Sequence, residues 1–284
     1  MEQDWTVQRV PAADGAEIVL HSVGSGPGIV VVHGGGVTID IYRRLALRLA
    51  DRFTVHLYNR RGRADAAARA EPYDGEQDVA DLGSVLTATG VRNVIGHSGG
   101  GFLALRAAAR GLPIDRLALY DAAIQVNGLF PLGWVPAARK AAQAGDIARA
   151  LAITGGGLNT HSPASRLPLA VRTTLCRLFL RTPVGRTMGE LLPTTLDESA
   201  LIQHHDGQPE QWAGVKAEVL LACGGAGPAY YRPINEALAG VLPHARTLVV
   251  PRASHDALNR APQHLVDALA GFFTAPATAP PTRS

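Results

Sequence analysis

The sequence predicts an α/β protein: a mostly parallel eight-stranded sheet flanked by helices and interrupted by a long helical insertion. Three observations carry this. Short apolar runs alternate with helix-period segments through the first 121 residues, and again from 213 to 273. Runs that are apolar throughout, as at 29–33, suit strands buried on both faces, which is how a parallel sheet sits between layers of helices. Between 122 and 212 the alternation stops and the pattern turns helical and irregular.

The elements follow in order. Residues 6–10 and 17–22 alternate as two strands, and Ala13-Asp14-Gly15 between them supplies the turn of a hairpin. The strand 29–33 runs into Gly34-Gly35-Gly36. Residues 41–51 have helical periodicity, with Leu45, Leu47 and Leu49 among arginines, and 53–58 is the next strand, ending in the loop Asn59-Arg60-Arg61-Gly62-Arg63. A helix is expected over 74–89, with Asp78 and Asp81 on its solvated face. Strand 91–95, helix 102–110 and strand 116–121 complete the first half. In the insertion, one helix is expected over 135–152, broken by Gly155-Gly156-Gly157, and a second, strongly apolar, over 169–180; 187–192 and 198–204 are shorter candidates. Strand 217–223, helix 233–241, strand 247–250 and helix 262–273 resume the alternation. The Pro/Thr/Ala-rich tail 274–284 reads as disordered.

Composition narrows the function. An apolar fraction of 46% is enough for a packed core, and the net charge of +3 comes without any Lys/Arg run. The pairs Arg43-Arg44 and Arg60-Arg61 read as salt-bridge formers, so nucleic acid is not expected as a partner. Cys176 and Cys223 lie far apart without metal-ligand spacing, and read as reduced, buried small hydrophobes in a cytoplasmic protein. The first residues, Met1-Glu2-Gln3-Asp4, do not have the character of a signal peptide, and no apolar run reaches the roughly 18 residues of a membrane span. His204-His205 lacks companions at ligand spacing, so neither metal nor cofactor is expected. His161 and this pair read as solvated. Arginine in place of lysine and abundant Ala and Gly suit a high-GC bacterial genome, and with it a tailoring step in secondary metabolism.

The chemistry centres on Gly96-His97-Ser98-Gly99-Gly100, which fits G-x-S-x-G between a strand and a helix. A serine on so tight a turn has a strained backbone and a projecting hydroxyl, and side chains at Gly96 or Gly100 would collide with the neighbouring helix or strand. His33-Gly34-Gly35-Gly36 follows the third strand, Asn59-Arg60-Arg61-Gly62-Arg63 the fourth, and Ala253-Ser254-His255-Asp256 the last. In this order the pieces resemble the α/β-hydrolase family over nearly the whole chain. The resemblance implies an oxyanion loop at Gly34–Gly36, a nucleophile elbow at Ser98, a helical cap over 122–212 on a core of 1–121 and 213–273, and a catalytic histidine at His255. Serine at the elbow argues against the dehalogenase and epoxide-hydrolase branches, which have aspartate there.

One departure matters. The loop after the strand 217–223, where the family's acid commonly stands, reads Gly224-Gly225-Ala226-Gly227-Pro228 and carries no carboxylate. Three readings are open: the acid has moved to Asp121 at the end of the preceding strand; Asp256 or a cap residue serves; or no acid exists. Asp121 is favoured, because a strand's carboxyl end opens on the same crevice, whereas the side chain of Asp256 should diverge from adjacent His255.

The resemblance assigns Ser98 as nucleophile, His255 as base, Asp121 as its orienting acid, and the Gly35 and Gly99 N–H groups as oxyanion donors. His33 would brace the oxyanion loop, His97 would pack structurally, and the loop of Asn59 and Asp65 would be scaffold. Of the insertion's Phe130, Leu132, Trp134, Leu175, Phe179, Leu180 and Met188, some should line an apolar pocket, with Phe130, Trp134 and Tyr230 the leading candidates. Tyr231 is also within range. The expected activity is serine-dependent cleavage of an apolar ester, thioester or lactone. The alternatives are acyl transfer, cyclisation or elimination on the same fold, and a ligand-binding protein whose activity has decayed.

Overall fold

The computed structural model describes residues 4–160 and 162–275; His161 and the tail from 276 onward lie outside the described residues. Eight strands form one sheet: β1 (Thr6–Pro11), β2 (Glu17–Val23), β3 (Gly28–Val32), β4 (Thr54–Tyr58), β5 (Asn93–His97), β6 (Arg116–Tyr120), β7 (Glu218–Gly224) and β8 (Ala245–Val250). Their order is β1-β2-β4-β3-β5-β6-β7-β8. The hairpin β1–β2 is antiparallel and joins β4 antiparallel, and every pairing from β4 to β8 is parallel. Central β3, β5 and β6 are buried at every residue after the first, on both faces, as a sheet between two helical layers requires.

The helices of the sheet's two faces are α1 (Arg43–Leu49), α2 (Glu76–Thr89), α3 (Gly99–Ala109), α9 (Tyr231–Ala239), α10 (Ala257–Arg260) and α11 (Gln263–Thr274). Between β6 and β7 lie α4 (Val135–Gln143), α5 (Ile147–Leu158), α6 (Leu169–Phe179), α7 (Pro183–Glu190) and α8 (Leu192–His204). The apolar core divides into two clusters, one on each side of the sheet. The first continues into the insertion through Phe130, Leu132, Trp134, Leu151 and Leu196. No helix among the described residues is long and apolar enough to cross a membrane.

The insertion departs from the sequence pattern in two places. The helix expected over 135–152 is two helices, because Gly145 takes a left-handed φ of 79° and Asp146 then caps α5, its carboxylate accepting the Arg149 N–H. Gly155–Gly157 do not break α5, which runs through them to Leu158. Their lack of side chains serves packing: a Cβ on Gly156 would meet the Arg172 guanidinium, and one on Gly157 would stand 2.2 Å from Trp134 Cδ1. The apolar helix α6 is also less buried than its composition suggests, with Val171, Leu175 and Leu178 exposed. Its other face packs on α5.

Candidate active site

Ser98 sits between β5 and α3 with φ 51° and ψ −125°, a backbone region that non-glycine residues enter only under constraint. The constraint is visible on both flanks. A Cβ on Gly96 would lie 2.7 Å from Gly101 Cα in α3, and one on Gly100 would lie 2.3 Å from the carbonyl oxygens of Val32 and His33. Only glycine lets strand and helix approach this closely. The turn is tied down by Ser98 N–H donating to Tyr120 O and by Gly101 and Ala123 N–H groups donating to Ser98 O.

The carboxylate that meets His255 Nδ1 is that of Asp121. Asp121 follows β6, has φ 41° and is fully buried. Its backbone N–H donates to Ala222 O, and its Oδ1 accepts the Gly224 N–H at 3.1 Å. These bonds leave Oδ2 aimed at His255 Nδ1, 3.1 Å away. The loop at 224–228 packs against this carboxylate, Gly227 within ordinary contact of Oδ2, and glycine is required at 224, where a Cβ would lie 2.5 Å from Ala253 O. Asp256 turns elsewhere, toward the Ser254 hydroxyl and Arg260. Tyr231 stacks on the His255 ring at an interplanar angle of 3°, and its hydroxyl lies 3.4 Å from Nδ1. Ser98 and His255 line one cavity without a hydrogen bond joining them, a contact that in free enzymes commonly tightens only with substrate.

Three hydrogen bonds couple the loops around Ser98. Tyr42 OH accepts the Gly34 N–H at 3.0 Å and donates to His97 Nδ1 at 2.6 Å. His97 Nε2–H donates to the His255 carbonyl at 2.9 Å. Since that carbonyl can only accept, the His97 proton is on Nε2 and Nδ1 is the acceptor. Burial and the nearby His255 hold the pKa of His97 well below the ordinary histidine value, so this relay stays neutral. His33 is fixed likewise: Nδ1–H donates to Gly34 O and Nε2 accepts the Arg60 N–H. It therefore braces the glycine loop. Gly35 and Gly99 come together beside Ser98, a Cβ on Gly99 falling 3.8 Å from Gly35 N. Among the described residues neither N–H has an acceptor within the chain.

The loop after β4 is a buried electrostatic node. Arg61 pairs with Asp81 and Asp14, and Arg60 with Asp78 and Glu198. Asp78 and Asp81, expected on the wet face of α2, are thus buried, because guanidiniums enclosed in the fold require carboxylate partners. Arg60 and Arg63 both hold Glu198 of α8. Burial pushes the Glu198 pKa up, but these two cations outweigh it and hold it down to about 2. Glu198 was not singled out by sequence reasoning. The only signal was indirect: arginines that close to the elbow need an acid, and the insertion offers several.

The cavity, about 480 Å³, is lined by Ser98, His255 and the Gly34–Gly36 loop, and by Leu151, Leu158, Phe179, Val184 and Met188 of the insertion. Phe130 and Tyr230 line it too, ring against ring, with Tyr230 OH donating to Leu158 O. Trp134 does not. Its indole packs on Gly157 and its Nε1–H donates to Pro131 O, so it belongs to the insertion's own core. Cys223 is buried as expected, whereas Cys176 is only partly so and lines the cavity. No cluster of three His, Cys, Asp or Glu capable of holding a metal stands among the described residues.

This arrangement can activate a hydroxyl, orient an imidazole and receive an oxyanion. A model of the alpha/beta hydrolase family matches residues 29–269. A non-heme haloperoxidase of Rhodococcus erythropolis is 35% identical over 104 residues, which is 36% of this chain and 38% of that protein. The chain thus aligns with under half the length of this curated relative. An alpha/beta hydrolase from Sphaerobacter thermophilus superposes with a TM-score of 0.78 at 29% identity, over 94% of this chain and all of the other. An esterase from Exiguobacterium antarcticum has the same fold, with a TM-score of 0.70 at 17% identity over 95% of this chain and all of the other.

Proposed function

The chain belongs to the alpha/beta hydrolase family, and from that premise we propose that it is a serine hydrolase that cleaves an apolar ester, thioester or lactone through an acyl-enzyme. The observation that carries this reading is the 3.1 Å contact between buried Asp121 and Nδ1 of His255, which lines the same cavity as Ser98. It supplies the acid that the loop at 224–228 lacks.

In this mechanism His255 Nε2 takes the Ser98 proton as Oγ attacks the carbonyl carbon. Asp121 holds the proton on Nδ1 and stabilises the imidazolium. The oxyanion is received by the N–H groups of Gly35 and Gly99, whose lack of internal acceptors leaves them available. His255 then protonates the leaving group, and water repeats the sequence on the acyl-enzyme. The helices of the insertion act as a cap whose aliphatic and aromatic side chains take the apolar part of a small-molecule substrate.

A fluorophosphonate probe tests this directly. Labelling at Ser98, lost in Ser98→Ala, together with hydrolysis of p-nitrophenyl acyl esters, is the expected result. Folded protein that resists the probe and turns over no ester would sink the reading.

A further inference from the structure

Besides Asp256, which is turned to Ser254 and Arg260, the cavity is lined by one carboxylate that the mechanism leaves unused. Glu198 is 5% exposed, and its two oxygens are not equivalent. Oε1 accepts from Arg60 and Arg63, while Oε2 accepts only from Arg60, at 3.1 Å. Oε2 is the oxygen that faces the glycines of the oxyanion site. It would stand 2.9 Å from a Cβ on Gly35 and 3.4 Å from one on Gly99. A carboxylate oxygen accepts up to two hydrogen bonds, so Oε2 retains a lone pair beside the place where the substrate carbonyl oxygen would sit.

Such a placement opposes oxyanion chemistry unless something lies between. Two negative charges a few ångströms apart repel, and the node has no spare cation to offset them. Arg60 and Arg63 are matched by Asp78 and Glu198. A hydrogen-bond donor on the substrate removes the conflict. On the acyl side, a substituent of the carbon next to the carbonyl is the group covalently nearest the carbonyl oxygen, and so the first within range of Oε2.

We infer that Glu198 is a specificity residue whose Oε2 accepts a hydrogen bond from a hydroxyl or ammonium group on the carbon next to the scissile carbonyl, so that the site favours 2-hydroxyacyl and 2-aminoacyl esters. This rests on the serine hydrolase reading of the same site. Acyl groups bearing a carboxylate at that carbon are correspondingly rejected.

The test compares p-nitrophenyl esters of hexanoate, 2-hydroxyhexanoate, 2-methoxyhexanoate and 2-aminohexanoate. The methoxy ester has a similar inductive effect to the hydroxy ester but cannot donate. A donor matched to a charged acceptor should raise kcat/KM about 10- to 100-fold for the hydroxy or amino ester over the methoxy ester. In Glu198→Gln that ratio should fall to within about 3-fold, a change that a purely structural role would not produce. Because removing the charge leaves Arg60 and Arg63 without their partner and the variant can fail to fold, binding of the same esters to Ser98→Ala gives a second reading without turnover. Tighter binding of the hydroxy or amino ester there supports the contact even if the wild type hydrolyses none, a result that would instead remove the serine hydrolase reading. Equal binding and equal turnover of all four overturn the Glu198 assignment alone.

Discussion

Asp121→Asn is the perturbation that tests the site most sharply. The carboxylate has two partners with opposite demands on an amide. Oδ1 accepts the Gly224 N–H, and Oδ2 faces His255 Nδ1. Asparagine keeps the first bond only by placing its oxygen toward Gly224, which turns its NH2 toward the histidine. Nδ1 must then accept, the imidazole proton moves to Nε2, and the nitrogen facing the cavity can no longer act as a base. The lost charge adds to the wrong tautomer. At 3.1 Å and an effective dielectric constant near 20, carboxylate–imidazolium attraction is about 5 kcal/mol, or close to 10⁴ in rate. The His255 side chain is 37% exposed, and water screens part of this. We therefore expect kcat/KM on p-nitrophenyl esters to fall about 10³- to 10⁴-fold, with the melting temperature near that of the wild type and fluorophosphonate labelling slowed in parallel. A folded Asp121→Asn enzyme within 10-fold of wild type, or an Asp256→Asn enzyme that loses more, would refute the assignment.

Three further outcomes follow from the surroundings. Tyr42→Phe leaves the Gly34 N–H and His97 Nδ1 without partners in a buried site, and should cost about 2–4 kcal/mol by urea denaturation while lowering kcat more than it raises KM. Glu198 has its pKa depressed from 4.5 to about 2, so its contribution to stability is complete above pH 4.5 and fades as pH falls toward 2. The stability gap between wild type and Glu198→Gln should accordingly be widest above pH 5 and narrow steadily in acid unfolding. Gly157→Ala places a methyl 2.2 Å from Trp134 Cδ1; overpacking should destabilise by about 1–3 kcal/mol, net of the better helix propensity of alanine, and shift Trp fluorescence.

Much of the fold was legible because its signals are local. All eight strands sit where apolar runs and turn residues put them, and the glycines of the elbow are required by the clashes their replacement would create. Asp121 could be proposed from a strand end, since topology alone aims that position at the crevice. What was illegible depends on distant partners. Asp78 and Asp81 look like solvated helix residues until the buried Arg60 and Arg61 are known. Gly155–Gly157 look like a break until Trp134 and Arg172 are seen filling the space. Trp134 looks like a pocket residue because aromatic composition does not tell which way a side chain points. Glu198 was hidden among the acids of the insertion, and nothing in its neighbourhood along the chain marks it.

The node of Arg60, Arg63 and Glu198 has a consequence for traffic. It fastens α8 to the core next to the Gly34–Gly36 loop, so that wall of the cavity cannot swing without separating buried charges. Another wall, α6 and α7, packs on α5 and α8, is tied to α5 by the Arg172 guanidinium on Ala152 O and the exposed Arg177–Asp146 pair rather than by a buried ion pair, and carries exposed Val171, Leu175 and Val184. Molecules should therefore enter and leave past α6 and α7. A disulfide or bulky label pinning those two helices would lengthen product residence and lower kcat, whereas the same restraint on α8 would leave turnover unchanged.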